Sequence, residues 1–217
     1  MNREWSELNK TMQAQLRKKD TFQAGLETLF SLRGQLMETV LYFRDSLTPA
    51  DFSAIPFINA DGYHSKTVAY SLWHIFRIED IVAHTLINGD EQVFFKGGYQ
   101  RRMNAPIVTT GNELVKQQIA DFSAQLDLNA LYAYISEVKE STETLLRGLS
   151  FEDLKRKISD ERKAALEALH VVSDDENAHW LIDYWCGKDV RGLIQMPFSR
   201  HWIMHIEACI RIYDRIH

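Results

Sequence analysis

The chain has 217 residues, 45% of them hydrophobic, with 25 basic and 30 acidic side chains and a net charge of −5. That is enough apolar material for a substantial core, and because the charges are interspersed, with no dense Lys/Arg tract, a nucleic-acid partner is not expected. No apolar run nears the roughly 18 residues of a membrane span, residues 1–5 are too charged for a secretory leader, and Cys186 and Cys209 are too few for a disulfide framework, so the expectation is a cytoplasmic protein with no membrane partner.

Residues 1–19 carry a thin apolar stripe, Trp5, Leu8, Met12 and Leu16, at steps of three or four. This predicts an N-terminal helical extension that lies on the body or on a second subunit, which leaves a homodimer open. The main domain then spans residues 20–217. Its first long helix covers 20–47 with Phe22, Leu26, Leu29, Phe30, Leu36, Met37, Val40 and Leu41 on one face, and Thr48-Pro49 ends it. Residues 48–64, with Pro49, Pro56 and Asp61-Gly62, read as a connection. A second long helix over 65–88 closes at Asn88-Gly89 and carries His74 at the edge of its apolar face.

Residues 89–110 lack a period but hold Phe94, Phe95, Tyr99, Lys96, Arg101 and Arg102. A connection this long is either a lid or binding element, or its aromatics fill a gap in the core. Helical pattern returns over 112–149, with Asp127 placed to cap a new helix. Ser150-Phe151-Glu152-Asp153 starts a short helix by a capping box, residues 155–168 read as solvated helix, and Ser173-Asp174-Asp175 starts another that carries Trp180, Leu181, Tyr184 and Trp185. The last helix follows Gly192 and Pro197. No period-two pattern persists, so the fold class is all-α: four long helices with additional short ones, most simply an antiparallel bundle.

The chemistry centres on His201-Trp202-Ile203-Met204-His205. Residues four apart lie about 40° from each other around a helix, so both imidazoles can address one atom. Phe198, Ala208, Cys209 and Ile212 share their side, which turns both histidines toward the core. Two buried imidazoles on one face call for a shared partner, because each unpaired polar group costs about 1–3 kcal/mol. A bundle supplies further ligands from a facing helix, and His74 is the best third. Three neutral imidazoles suit a divalent ion, zinc or nickel first and iron next, and leave a coordination position open.

Other candidates weigh less. Glu79 falls inside the apolar arc as a helper acid or base, or more simply as half of a structural salt bridge; Asp80 reads as surface. Cys209 is more plausible as a small core residue than as a soft ligand. His179 is a candidate for the pocket mouth, and His64, His84, His170 and His217 read as surface. No phosphate-cradling glycine loop and no G-x-S-x-G elbow occurs.

Ser71-Leu72-Trp73-His74-Ile75 followed by Glu79-Asp80, together with His201-Trp202-Ile203-Met204-His205-Ile206 and Arg211, resembles the DinB/YfiT-like family of four-helix-bundle proteins over roughly residues 20–215. The resemblance implies that His74, His201 and His205 bind one divalent metal. It also implies an activity among those of the family, which includes thiol S-transferases using bacillithiol, mycothiol-dependent isomerases and hydrolases, with a small-molecule substrate and a low-molecular-weight thiol as cosubstrate. The alternative is a non-catalytic metal-binding or stress-response bundle. The N-terminal extension and the long stretch 150–196 depart from the family pattern and bear on the substrate.

Overall fold

The computed structural model describes residues 2–217. Among them the chain is all-α, as its periodicity implies; the sole strand-like feature described is an isolated bridge between Lys157 and Asp189. Helix α1 (Arg3–Gln15) lies along α2 (Phe22–Ser46) of its own chain, burying Trp5, Met12 and Leu16. A short helix α3 (Pro49–Ser53) sits where the sequence suggested only a connection, started by a reciprocal Thr48–Asp51 capping box with Pro49 in its first turn.

Helix α4 (Val68–Asp80) is capped by Thr67, whose hydroxyl accepts from the Tyr70 N–H at 3.0 Å. It continues into a wider π-helical stretch, Ile81–Asn88, that ends at Gly89 with φ +75°. Next come α5 (Val93–Lys96), α6 (Tyr99–Arg102), α7 (Gln117–Gln125) and α8 (Leu128–Gly148). Asp127 caps α8 by accepting from the Ala130 N–H, so the expected break in the 112–149 segment is present. After a 3-10 turn at Glu152–Lys155 follow α9 (Asp160–Ala168), α10 (Glu176–Cys186), α11 (Val190–Gln195), a π turn at Met196–Arg200 and α12 (His201–Ile216).

The four long helices contact one another in a ring, α2 to α8, α8 to α4, α4 to α12 and α12 to α2. Together with the shorter elements they build two apolar clusters. One contains Leu36, Trp73, Phe76, Phe94, Tyr134 and Trp202; the other contains Leu29, Ile78, Ile81, Leu146, Trp185 and Phe198.

Between the clusters runs a buried polar layer centred on Arg33. Its guanidinium donates to both oxygens of Glu79 (2.9 and 2.8 Å), to Glu143 (3.2 Å) and to the Phe198 carbonyl (3.1 Å), and lies 4.3 Å from the centre of the Trp202 ring. Burial alone would lower the pKa of Arg33, but the Glu79 and Glu143 carboxylates outweigh it and hold the pKa above its ordinary value. One side chain of α2 is thereby tied to α4, α8 and the turn that leads into α12. The Phe198 carbonyl that accepts from Arg33 lies in the π turn containing Pro197, a residue with no N–H to donate.

Two expectations about charged residues are corrected here. Asp80 is not on the surface: it is fully buried, and its carboxylate accepts from the N–H groups of Val93 and Phe94 and from the Tyr134 hydroxyl. Burial raises its pKa, against the opposing pull of Arg77. His84 is also buried, bonded through Nδ1 to Asp90 (2.7 Å) and through Nε2 to Ser141 (3.0 Å). The helical period puts both on the polar side, but a helix's polar side is surface only when no other element covers it, and α5 and α8 cover this one.

Candidate metal centre and its cleft

His74 projects from the middle of α4, and His201 and His205 from the first two turns of α12. The three side chains expected to meet do meet. Their ring centres lie 5.0 Å (His74–His201), 4.8 Å (His74–His205) and 4.5 Å (His201–His205) apart, and one nitrogen from each lies within 4.8 Å of the others. All three residues are buried.

The surroundings set the state of each ring. His74 Nδ1 is 2.8 Å from the Thr110 carbonyl, which can only accept, so Nδ1 carries the proton and Nε2 keeps a free lone pair. His201 Nδ1 and His205 Nδ1 are buried without any hydrogen-bond partner. Burial pushes His74 down to about 4, with the Thr110 hydrogen bond opposing it and the Lys66 ammonium adding to it, and pushes His201 and His205 well below the ordinary imidazole value, where neighbouring rings and, for His205, Lys66 act in the same direction. Near neutral pH the group is three uncharged nitrogen donors, two of them with orphaned buried atoms. An ion that took those two atoms as ligands would remove that cost, and a neutral nitrogen set suits a divalent metal.

The loop over residues 109–112 frames the centre. Thr110 orients His74, the next carbonyl, Gly111, accepts from the Tyr70 hydroxyl at 2.9 Å, and Tyr70 stacks on His74 with ring centres 5.5 Å apart. Gly111 has φ +79°, and a Cβ there would stand 3.0 Å from the Tyr70 ring, so glycine is needed on both counts. On the expectation for residues 89–110, the aromatics do fill the core: Phe94 and Tyr99 are buried, and Phe94 packs edge-on against Trp73 and Tyr134. Arg77 fastens the segment by donating to the Val108 carbonyl and to Gln92.

Two cavities open against the histidines. The first, about 270 Å³, is bounded by His74, His201 and His205 on one side and by Ile78, Trp180, Tyr184, Trp185 and Pro197 among others. The second, about 360 Å³, is bounded by His74 and His205 together with Lys66, Tyr70, Asn177 and Leu114 among others. Asn112 lines both.

Glu79 makes its three hydrogen bonds to Arg33 and Trp202, the Trp202 N–H donating at 2.8 Å, and none to an imidazole. It is the salt-bridge residue, acting on the centre at one remove by fixing the residue next to His201. Cys209 is a buried thiol pushed up to about 12 by burial and stands outside the histidine group. His179 is exposed and lines neither cavity; its neighbour Trp180 does.

Arg33, Lys66, Tyr70 and Thr110 went unread in the sequence. Arg33 had a signal, since it stands four residues from Leu29 and from Met37 inside an apolar stripe. Lys66, Tyr70 and His74 recur at every fourth position, the first just before the cap of α4 and the other two within the helix. A backbone carbonyl such as that of Thr110 leaves no such trace.

The model of the DinB superfamily matches residues 35–182, more than half of the chain. The chain belongs to the DinB superfamily. No curated protein matches it at the level of sequence. The part of this DinB chain that matches includes His74, and the two histidines of α12 lie beyond it. They enter the centre through the contact of α12 with α4.

Proposed function

We propose that this DinB protein is a metal-dependent enzyme, in which His74, His201 and His205 hold one divalent ion and the cleft brings a low-molecular-weight thiol to a small electrophile. The observation that carries the reading is the convergence of three buried, uncharged imidazoles at a point bordered by two cavities, so that an ion there keeps a side toward the cleft. When bound, such an ion lowers the pKa of a thiol or water and polarises a leaving group.

The chain's own residues orient and enclose. The Thr110 carbonyl holds His74 in one tautomer, Glu79 holds Trp202 and with it the first turn of α12, and Trp185 and Pro197 form an apolar wall of the first cavity. Asn112 lies between the two cavities with an amide to offer a substrate. Among the described residues that line either cavity there is no Asp or Glu. Hydrolysis draws on a group that takes a proton from water and returns one to the leaving group, whereas a thiol with a lowered pKa needs no such base. Thiol transfer is therefore the better supported reaction.

The test has two stages. Protein purified without an affinity tag is expected to carry, or take up, one divalent ion per chain by elemental analysis. The loaded protein, given a panel of low-molecular-weight thiols with 1-chloro-2,4-dinitrobenzene, is expected to accelerate arylation of one of them. A stoichiometric ion without any thiol-dependent turnover would favour the non-catalytic binding protein, and no ion at all would remove both.

A further inference from the structure

The two cavities that meet at the histidines differ in character. Apart from the imidazoles, the walls of the first are Ile78, Asn112, Leu181, Met196 and Pro197 with the rings of Trp180, Tyr184 and Trp185, and no charged group. The second contains one charged side chain, Lys66, which is also the sole charge among the described residues lining either cavity.

Lys66 is half-buried just before the cap of α4, and its ammonium stands 4.9 Å from the centre of the Tyr70 ring, which itself stacks on His74. No carboxylate among the described residues pairs with it, in a chain with more acidic than basic side chains. Burial lowers its pKa with no opposing charge to restore it. A desolvated cation kept free of a partner, beside neutral Ser65, Tyr70, Asn112 and Asn177, is a site prepared for an anion from outside. An ion held by three uncharged ligands adds to the positive potential, since no ligand carboxylate offsets it.

We infer that Lys66 is the anion anchor of the cleft, which takes an amphipathic molecule whose carboxylate or like group pairs with the lysine while its apolar body passes the histidines toward Trp180, Tyr184 and Trp185. The inference rests on the reading of the cleft as a substrate site, and it defines the class of that substrate; the pairing of Lys66 with an anion does not require the metal.

Calorimetric titration of the full chain with 4-phenylbutyrate and with its uncharged amide, in metal-free protein and after one equivalent of Zn²⁺, tests it. The acid is expected to bind about tenfold or more tightly than the amide in both forms, in line with a charge-assisted hydrogen bond. Lys66→Gln should remove that preference and leave the amide's affinity unchanged, Lys66→Arg should keep it, and Trp180→Ala should weaken both probes alike. Equal binding of acid and amide, no binding of either, or a preference that persists in Lys66→Gln would overturn the inference. A preference confined to the zinc form and retained in Lys66→Gln would mean that the carboxylate goes to the metal, leaving the metal centre standing without the lysine's role. A lysine-dependent preference in protein that takes up no zinc would do the reverse.

Discussion

The ring of His205 is buried with its Nδ1 unbonded, and it stands against the rings of His74, His201 and Tyr63, the last at 5.7 Å. His205→Ala is expected to abolish stoichiometric uptake of the divalent ion and leave the helical circular dichroism unchanged; unaltered metal content in that variant would refute the assignment. The uncharged state of the rings also has a pH signature. The folded pKa of His74, about 4, lies below the roughly 6.5 of an exposed imidazole. As pH falls below 6.5 the unfolded chain binds a proton that the folded chain refuses, so stability present above 6.5 is lost between 6.5 and 4. At 1.36 kcal/mol per pKa unit this amounts to roughly 3 kcal/mol for His74. The urea midpoint of metal-free protein should fall between pH 7 and 4.5, and fall less steeply in His74→Gln; identical slopes would show that the ring is not held neutral.

At the scale of elements, the polar layer around Arg33 specifies how the long helices meet. Arg33→Met leaves Glu79 and Glu143 without their buried cation, and the expected cost is about 3–5 kcal/mol in chemical denaturation, while the double variant Arg33→Met/Glu79→Leu should recover part of it because the pair leaves together. If the double variant were no more stable than the single, charge burial would not be what the layer manages. The 109–112 loop makes a smaller and more local prediction. Gly111→Ala forces a left-handed residue against the Tyr70 ring. It should weaken zinc binding through the displaced Thr110 carbonyl by about tenfold or more, with a stability loss on the order of 1 kcal/mol. Unchanged zinc affinity would show that His74 does not need that carbonyl.

For the whole molecule, an ion that binds the folded chain alone adds stability by mass action, about 4 kcal/mol at a thousandfold excess over its dissociation constant. In a chain of this size 1 kcal/mol is about 2–4 °C of melting temperature, so saturating zinc should raise the midpoint on the order of 10 °C, a chelator should reverse it, and His205→Ala should show neither. α1 lies along α2 within the same chain, and no helix among the described residues is long and apolar enough to cross a membrane. Helix α10 and the π turn supply Trp180, Trp185 and Pro197, which form the apolar end of the cleft. The match to the family model ends at residue 182, so this end of the pocket is built from both sides of that limit, Trp180 within it and Trp185 and Pro197 beyond it.

The long helices, the break at Asp127 and the stop at Gly89 were legible in the sequence because period, caps and left-handed glycine are local properties, each written within a few residues. The pairing of His201 with His205 was legible for the same reason, as four residues is one helical turn. What lies across α4 and α12 was not: a stripe says which face is buried and is silent about the face it meets. Asp80 and His84 were therefore placed on the surface, although α5 and α8 cover them, and the short helices α3, α5 and α6 escaped notice because four or five residues show no period. The tertiary structure alone decided that Arg33 reaches Glu143 and Phe198, more than a hundred residues away, that the Thr110 carbonyl sets the proton on His74, and that Lys66 is the charge left facing the cleft. Such contacts come from packing at long separation, where sequence supplies the groups and the closure of the fold supplies their neighbours.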